Sequence, residues 1–295
     1  MPGRIGARAA IALLWLLHWL PLPLLAALGQ VLGRLLWWLA WSRRHVALTN
    51  LRLCFPELDE PARRALAREH FGWMGRSILE RGLLWFARPA RLQRLLRVDG
   101  DLLQAQRSER PVMWLVPHFA GMEWLGPGLT LGQGRGVVDV YQRQSNAVFD
   151  AALMRGRGRF GNAVFVNRHD GIRPVLKLIQ QGYGFLNAPD MDFGRKDSAF
   201  VPFFGVPACT LLAPAKLARS LDMVVLPLTV AMLPGGRGYV LCAHPPLADY
   251  PSGDALADAH TLNRWLEARI REQPAQYLWV HKRFKTRPEG EASFY

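Results

Sequence analysis

Long apolar runs near the N-terminus and shorter apolar runs separated by polar turns divide the chain into two regions. Residues 9–33 contain no Asp, Glu, Lys or Arg, and Arg8 and Arg34 bound this run. About 25 helical residues extend for roughly 38 Å, more than the roughly 30 Å hydrocarbon core of a bilayer. Pro21 and Pro23 interrupt the run, and proline breaks a helix. This pattern predicts a broken, membrane-associated helical segment.

Three interpretations of this segment are open. It is long enough to span a bilayer, it is equally suited to lie in the interface, and Arg4 and Arg8 ahead of an apolar core are also typical of a signal peptide. The apolar pattern continues to Leu39, which argues against cleavage. We expect residues 1–42 to form a membrane anchor and residues 43–295 to form one domain. Aromatic belts suit headgroup depth, and the tryptophans concerned are Trp15, Trp19, Trp37, Trp38 and Trp41.

Strands and helices alternate between residues 112 and 230, which predicts an α/β fold with a mixed sheet flanked by helices. The continuous apolar run 112–116 is typical of a strand buried on both faces. Pro117 ends this strand because it has no N–H group to donate. His118 is therefore predicted at the carboxyl end of a strand, where α/β folds place their ligand crevices.

The remaining elements follow from the same patterns and from capping residues. We predict a helix from an Asp59 cap to about Leu84 that buries Ala65, Phe71, Met74 and Ile78, a helix over residues 146–154, an apolar loop at 201–205, an antiparallel hairpin of residues 223–230 and 239–243, and a last helix that begins at an Asp258 cap and ends at Glu272.

His118 and Glu123 form the first candidate site. Gly121 permits a tight turn, which would place Glu123 in the first turn of the next helix, facing the imidazole. A carboxylate that accepts the Nδ1 proton leaves Nε2 free as a general base. The structural alternative is a histidine bonded to a carbonyl oxygen, with Glu123 favoured by the helix dipole. The spacing differs from that of a helical zinc site, so no metal is predicted.

Two further motifs carry charged side chains. Residues 155–161 read G-x-G-x-x-G from Gly156, but they follow a helical pattern and hold arginines, so we predict an anion-binding loop with Arg157 and Arg159 rather than a dinucleotide site. A helix cap with surface charge is the alternative. Asp190 and Asp192 follow another strand, where they are candidate site residues or turn residues.

The formal charge of +14 predicts anionic partners. Arginine carries most of it, and the basic residues are spread among apolar helices without a recognisable nucleic-acid-reading module, so nucleic acid is not an expected partner. The three cysteines are widely spaced and without a C-x-x-C motif, which favours reduced thiols in a cytosol-facing protein.

Five segments together resemble the bacterial lipid A biosynthesis acyltransferases, the late lauroyl and myristoyl transferases. His118 and Glu123 resemble the His-x4-acid motif of that family. The other similar segments, in the order in which the family has them, are Asn50 to Leu58, the arginine loop Gly156-Arg157-Gly158-Arg159, Ala188 to Gly194 with its two aspartates, and Phe284-Lys285-Thr286-Arg287-Pro288.

The resemblance implies a glycerol-3-phosphate-acyltransferase-like fold and an N-terminal anchor in the bacterial inner membrane, with the active site on the cytoplasmic face. It implies transfer of a secondary acyl chain from acyl carrier protein, with no cofactor beyond that thioester, to a Kdo-bearing lipid A precursor. Acyl carrier protein is acidic and the acceptor is phosphorylated, in agreement with the basic charge. The expected partners are therefore acyl carrier protein, the lipid A precursor and membrane lipids.

The implied mechanism is direct transfer. His118, oriented by Glu123, deprotonates a hydroxyl group on an acyl chain of the acceptor, and the alkoxide attacks the thioester carbonyl. We expect Arg159 with Arg157 to hold the oxyanion or a lipid phosphate, and an apolar groove involving Phe203 and Phe204 to hold acyl chains. Further substrate-binding candidates are Arg143, Arg168, Asp190 and Asp192. The alternatives are a sister acyltransferase that uses acyl-CoA on another glycolipid or an aminolipid, and a non-catalytic lipid binder.

Overall fold

The centre of the fold is a seven-stranded mixed sheet. The computed structural model describes residues 2–131 and 135–295, without the side chains of residues 2 and 104–106. The strands are β1 (Leu96–Asp99), β2 (Val112–Leu115), β3 (Val137–Tyr141), β4 (Ala163–Asn167), β5 (Gly184–Asn187), β6 (Ser198–Phe203), β7 (Val206–Leu211), β8 (Val224–Met232) and β9 (Tyr239–Ala243). Their order in the large sheet is β1-β9-β8-β2-β5-β3-β4, and β6 with β7 forms a separate antiparallel hairpin.

The predicted mixed sheet is confirmed, because strand β8 joins a parallel and an antiparallel part. On one side, β2 pairs in parallel with both β8 and β5, and β3 pairs in parallel with β5 and β4. On the other side, β9 runs antiparallel to β8 as the predicted hairpin. All four residues of β2 are buried, as expected of a continuously apolar central strand.

Helices flank the sheet and form the N-terminal region. They are α1 (Pro2–Leu17), α2 (Leu22–Leu39), α3 (Trp41–Cys54), α4 (Glu60–Phe86), α5 (Pro89–Leu95), α6 (Leu102–Arg107), α7 (Leu125–Thr130), α8 (Ala147–Gly158), α9 (Arg173–Gln180), α10 (Ala213–Ser220) and α11 (Ala255–Glu272). Short 3₁₀ turns occupy Met122–Trp124, Arg168–Asp170, Pro234–Gly236 and Pro274–Gln276. The break between α1 and α2 falls at Pro21, as predicted.

Helix α2 packs so closely on α4 that the two backbones touch. A Cβ atom added to Gly33 would lie 2.3 Å from the carbonyl oxygen of Phe71, and one added to Gly75 would lie 2.2 Å from that of Gly29. Small residues allow this approach. Helix α1 reaches α4 in the same way, since a Cβ atom on Gly82 would lie 2.4 Å from the carbonyl oxygen of Leu14. The N-terminal helices therefore belong to the packed body of the protein.

The opposite face of these helices is apolar and exposed. Helix α2 is long and apolar enough to cross a membrane, although a third of it is buried. The exposed large side chains of this region are Ile5, Leu13, Trp15, Leu16, Trp19, Leu24, Leu28, Val31, Leu35, Trp38, Leu39 and Trp41, whereas Trp37 is buried. An apolar patch of this extent is typical of a surface that contacts a membrane.

The contact with α2 changes which residues of α4 are buried. Asp59 caps α4 as predicted, accepting a hydrogen bond from the Ala62 N–H at 2.8 Å, and Phe71 is buried. The prediction was wrong for Ala65 and Ile78, which are exposed. Instead α4 buries an ion pair, because α2 covers a helix face whose charged residues are typical of a solvent-exposed face.

This ion pair joins Arg76 and Glu80, whose side chains are each 1% exposed. The Arg76 Nε group donates to Glu80 Oε1 at 2.6 Å, and Nη1 donates to the carbonyl oxygen of Leu233 at 2.9 Å. The hydroxyl group of Tyr239 also donates to Glu80. The pair thus ties α4 to both ends of the turn between β8 and β9.

Three other local predictions were wrong. Residues 201–205 belong to the β6–β7 hairpin rather than to an apolar loop, and Asp254, not Asp258, caps α11 through the N–H groups of Leu256 and Ala257. Helix α8 continues to Gly158, so most of the predicted anion loop is helical. In each case, backbone pairing or helix continuation prevailed over a local turn signal.

Candidate active site

His118 and Asp190 lie side by side at the carboxyl edge of the sheet. Strands β2 and β5 are parallel neighbours in which Leu115 pairs with Asn187, and each chain then continues for three residues to His118 and Asp190. The Nδ1 atom of His118 lies 2.6 Å from Asp190 Oδ1, and its backbone N–H donates to Oδ2 at 2.8 Å. Both oxygens of the Asp190 carboxylate therefore bind His118, and this fixes the orientation of the imidazole.

The expected bond between Glu123 and His118 is absent, and this part of the prediction was wrong. The guanidinium of Arg157 holds the Glu123 carboxylate, donating from Nε to Oε2 at 2.9 Å and from Nη2 to Oε1. Arg81 adds a longer ion pair at 3.7 Å. Glu123 lies in the predicted first helical turn, but its partners are arginines from α8 and α4.

The ionisation of these groups follows from their partners. Burial lowers the pKa of His118, but the charge and hydrogen bond of Asp190 outweigh burial and raise the pKa above its ordinary value. Burial raises the pKa of Glu123, but Arg157 and Arg81 outweigh it and lower the pKa to about 2. Burial raises the pKa of Asp190, but the charge and hydrogen bonds of His118 outweigh burial and lower the pKa below its ordinary value. The carboxylate of Asp190 thus stabilises a protonated imidazole, as a general base requires.

Arg159 does not lie in this site, which contradicts its predicted role. Its Nη1 and Nη2 groups donate to the carbonyl oxygens of Leu84 at 3.1 Å and Ala87 at 2.6 Å, at the C-terminal end of α4. Residues two apart at a helix end point to different sides, since each residue turns the helix by about 100°. Arg157 therefore faces Glu123 while Arg159 faces α4.

Of the other predicted site residues, Asp192 has a structural role, and Arg143 and Arg168 lie on the surface. Asp192 accepts hydrogen bonds from the Thr286 N–H at 2.6 Å and the Thr286 hydroxyl at 2.8 Å, so it anchors the C-terminal segment. Arg143 and Arg168 are exposed at the carboxyl edge near β3 and β4. The C-terminal segment that contains Phe284-Lys285-Thr286-Arg287-Pro288 is also partly structural, because Arg283 and Arg287 are buried.

Sequence reasoning missed two charged residues, Asp139 and Arg81. Asp139 lies within β3 and is 3.8 Å from Arg157 Nη1. Burial raises the pKa of Asp139, and Arg157 opposes that effect. A carboxylate inside the apolar run of β3 was the available signal, because a buried charge is costly unless it is paired. Arg81 offered no such signal within the long charged pattern of α4.

A small, mostly apolar cavity of about 60 Å³ begins at these charged groups. Glu123, Asp139 and Arg157 line one part of it. The apolar walls come from α7, β3, β4 and β5, with Met122, Leu125, Gly126, Leu129, Val137, Ala163, Phe165 and Leu186. In the parts of the chain that the structure describes, no group of three or more His, Cys, Asp or Glu side chains is placed to hold a metal ion.

The two phenylalanines that we expected in the groove lie elsewhere. Phe203 is fully buried and packs against Tyr277 and Phe284. Phe204 packs against Phe55 at a ring-centroid distance of 5.1 Å. Because they sit on the β6–β7 hairpin, which lies outside the seven-stranded sheet, they form part of a separate core rather than a wall of the cavity.

Replacement of Asp190 by asparagine tests the pairing with His118. We expect kcat/KM to fall by roughly 10²- to 10⁴-fold, because the imidazole loses the group that orients it and stabilises its charge. In the wild-type protein, activity should rise with pH as His118 loses its proton, with a midpoint above the ordinary value of about 6.5. Residual activity of the variant should have a lower midpoint in a pH profile of kcat/KM.

Asp192→Asn is the matched control, since Asp192 lies two residues away but binds Thr286. This variant should lower the melting temperature without moving the midpoint of the pH profile. An Asp190→Asn profile with an unchanged midpoint would contradict the assignment of Asp190 as the partner of His118.

Comparison with known proteins gives a consistent set of similarities. The family of bacterial lipid A biosynthesis acyltransferases matches residues 1–286. The palmitoleoyltransferase of lipid A biosynthesis from Escherichia coli K12 is 34% identical over 97% of this chain and 92% of its own length. The lauroyltransferase from the same organism is 34% identical over 97% and 93%, and the myristoyltransferase is 33% identical over 92% and 83%.

Among solved structures, the 1-acyl-sn-glycerophosphate acyltransferase of Thermotoga maritima is similar over 79% of this chain and 94% of its own chain, with 14% identity and a TM-score of 0.36.

Proposed function

Because this chain belongs to the bacterial lipid A biosynthesis acyltransferases and is therefore an acyltransferase of late lipid A biosynthesis, we propose that it moves an acyl chain from acyl carrier protein to a Kdo-bearing lipid A precursor. The acceptor group is the hydroxyl of a 3-hydroxyacyl chain on the glucosamine disaccharide. The observation that carries this proposal is the His118–Asp190 pair, whose imidazole is within electrostatic range of Asp139 and Arg157 at the charged end of an apolar cavity.

The proposed chemistry is a direct transfer. Nε2 of His118 takes the proton of the acceptor hydroxyl, and the oxygen attacks the thioester carbonyl carbon. The tetrahedral intermediate then collapses, the carbon–sulfur bond breaks, and the imidazolium returns its proton to the leaving thiolate. Arg157 is the candidate for the oxyanion, because Glu123 occupies Nε and one Nη2 hydrogen and the ion pair with Asp139 is too long for a hydrogen bond.

The cavity is the candidate site for the transferred acyl chain. Its walls are almost entirely aliphatic or aromatic, which suits a hydrocarbon chain. The charged end, at Glu123 and Arg157, is the end at which a thioester carbonyl would meet the imidazole. An acyl chain that lies in the cavity therefore presents its reactive carbon to His118.

The N-terminal helices support an acceptor that arrives from a membrane. Pro23 of α2 touches the turn between β8 and β9 at Gly236, and the carbonyl oxygen of Gly3 in α1 accepts a hydrogen bond from the Asn146 side chain at 2.7 Å. Both contacts are at the carboxyl edge of the sheet that carries His118. The exposed apolar face of α1 and α2 is thus adjacent to the reaction centre.

An acidic carrier protein is the proposed donor because exposed cations outnumber exposed acids in the segment that follows Asp190, where Asp197 is the exposed acid. Arg195 and Lys196 are exposed shortly after Asp190 in the same segment, next to Phe193, which is 50% exposed. Exposed cations around an apolar side chain suit a partner with complementary charge. Coenzyme A thioesters, which are also anionic, are the alternative donors.

The test offers purified protein a series of acyl carrier protein thioesters and the corresponding acyl-CoA thioesters, with a tetraacylated, Kdo-bearing lipid A precursor as acceptor. Mass spectrometry of the lipid should show one added acyl chain from the carrier-protein donor. Transfer only from acyl-CoA, or only to another glycolipid or an aminolipid, would replace the proposal with the sister acyltransferase.

Gly126 gives a test of the acyl pocket. It lines the cavity, and a Cβ atom added to it would meet no other atom within 4 Å. Gly126→Leu should therefore begin in open space at the cavity wall, and should shift the preferred donor to a shorter chain. We expect kcat/KM for the longest accepted donor to fall about tenfold or more, since one methylene in an apolar pocket is worth roughly 10- to 200-fold.

The control is Gly126→Ala, which adds one methyl group and should give a smaller shift in the same direction. Donor competition in one reaction mixture measures both. An equal loss for donors of every length would indicate a damaged site rather than a shortened pocket.

A further inference from the structure

Exposed arginines from three separate parts of the chain lie on or next to the loop of residues 142–146, at the carboxyl edge beside helix α1. Arg168 follows β4, and its Nη1 group donates to the side-chain oxygen of Gln142 at 2.9 Å, which places it beside Arg143. The Asn146 side chain donates to the carbonyl oxygen of Gly3, which places Arg4 beside the same loop. We call Arg4, Arg143 and Arg168 the edge cluster.

The edge cluster keeps most of its capacity to bind an anion. The Arg143 side chain is 72% exposed, and its ion pair with Asp150 is long, at 4.0 Å. Arg168 uses one Nη group on a neutral amide. Asp170 is an exposed acid two residues from Arg168 in sequence. The Arg143–Asp150 pair is long and its arginine is exposed, so a phosphate can compete for these guanidiniums.

The position of the edge cluster relative to His118 fits a substrate that bridges them. Strands β2, β5, β3 and β4 are consecutive in the sheet, and His118 follows β2 whereas Arg143 and Arg168 follow β3 and β4. Neighbouring strands are about 4.8 Å apart, so the ends of β3 and β4 are about 10 to 15 Å from the end of β2. A sugar ring with the first carbons of an attached acyl chain covers such a span.

Helix α1 indicates which anion arrives there. Ile5, next to Arg4, is 68% exposed and belongs to the exposed apolar face of α1 and α2, which suits contact with lipid. A phosphate at the edge cluster would therefore lie at the headgroup level of a membrane. A carrier protein in water would have to approach along the lipid-facing side.

We propose that the edge cluster binds a phosphate group on the glycolipid acceptor, and that α1 is thereby part of the acceptor site as well as a membrane contact. This inference rests on the proposed function, because it assigns a place to the headgroup of the same acceptor. It gives Arg4 a role in substrate binding that its position in an apolar N-terminal segment would not suggest.

The test measures KM for the acceptor and for the donor in neutral detergent micelles at fixed detergent concentration. Arg143→Ala and Arg168→Ala should each raise the acceptor KM by about tenfold, the loss expected for one charge-assisted contact, and Arg4→Ala should raise it by a smaller factor. The donor KM and kcat should stay unchanged. Arg34→Ala is the control, since Arg34 is an exposed arginine of α2.

A dephosphorylated acceptor completes the test. Removal of the phosphate should raise the wild-type KM at least as much as Arg143→Ala does, and Arg143→Ala should raise the KM for the dephosphorylated acceptor no further. Fully additive effects would overturn the proposal. Variants that lose binding only to phosphatidylglycerol vesicles, with an unchanged acceptor KM in micelles, would assign the cluster to bilayer phospholipid and also overturn it.

These results are separable from a failure of the proposed function. Wild-type turnover at saturating acceptor reports whether the protein acylates this glycolipid at all. The ratio of acceptor KM values between the variants and the Arg34→Ala control reports the edge cluster. A wild-type protein that acylates the precursor, together with variants that have unchanged KM values, refutes only the cluster.

Discussion

Replacement of His118 by alanine should lower kcat/KM for acyl transfer by roughly 10²- to 10⁴-fold, the contribution typical of a positioned general base. The structure gives the reason, because Asp190 holds Nδ1 and, among the residues that the structure describes, Nε2 has no hydrogen-bond partner. No other described residue makes a contact that would let it replace Nε2 as the base. Steady-state kinetics with the carrier-protein thioester measures this loss.

The folded state should survive this change. The His118 side chain is 22% exposed, so its truncation leaves a space that water can enter rather than a sealed cavity. His169→Ala is the control, because His169 is exposed at the same edge and follows β4. A His118→Ala protein with normal turnover would remove the general base from the mechanism. Wild-type protein that binds the lipid but never turns it over would favour the non-catalytic binder.

Replacement of Arg76 by alanine should cause the largest loss of stability, about 3–5 kcal/mol, because it leaves the buried Glu80 carboxylate without its cationic partner and with only the Tyr239 hydroxyl as a donor. The variant would also lose a hydrogen bond to Leu233 and the contact of the guanidinium with the Trp73 ring. A loss of this size corresponds to a decrease of about 6 °C or more in melting temperature. Thermal unfolding in detergent measures it.

Helix α4 contains its own control. Arg64 and Glu60 form another ion pair at the same spacing, with N–O distance 2.7 Å, but their side chains are 51% and 57% exposed. Arg64→Ala should therefore cost no more than about 1 kcal/mol. Equal losses for the two variants would show that the burial of Arg76 and Glu80 does not decide their contribution. The double variant Arg76→Met with Glu80→Leu should recover much of the loss.

The sequence was sufficient to place His118 but not to identify its partner. A continuous apolar run that ends in proline predicts a strand and its end, and both were found. The partner of His118 depends on which strand lies next to β2, and that information is not local. Pro117-His118 and Pro189-Asp190 are equivalent steps at the ends of two parallel neighbours, so Asp190 is recognisable as the partner only once β2 and β5 are known to pair.

The different positions of Arg157 and Arg159 could not be predicted for a similar reason. In a loop both side chains could have faced one anion, which was the prediction. The helix continues to Gly158, and the period of about 3.6 residues per turn separates them. Helix ends are difficult to locate from sequence, because glycine and arginine are compatible with both a helix terminus and a turn.

The burial of Arg76 and Glu80 was also not predictable from α4 alone. A pair of opposite charges four residues apart is typical of an exposed helix face. Here the covering element is α2, whose glycines allow the backbones to touch. The apolar character of α2 predicted contact with lipid, and the structure shows that one face of this helix contacts protein instead.

The close packing of α2 on α4 determines how the enzyme would find its two substrates. Because the exposed apolar surface of α2 and the carboxyl edge of the sheet are parts of one packed body, α2 stays fixed next to the proposed reaction centre. In the proposed reaction, a glycolipid acceptor would then reach the site by lateral diffusion within one leaflet, and a thioester donor would arrive by diffusion through water. The acceptor concentration that governs the rate would be its mole fraction in the membrane, so dilution with inert lipid should slow the reaction even when the bulk concentration is constant.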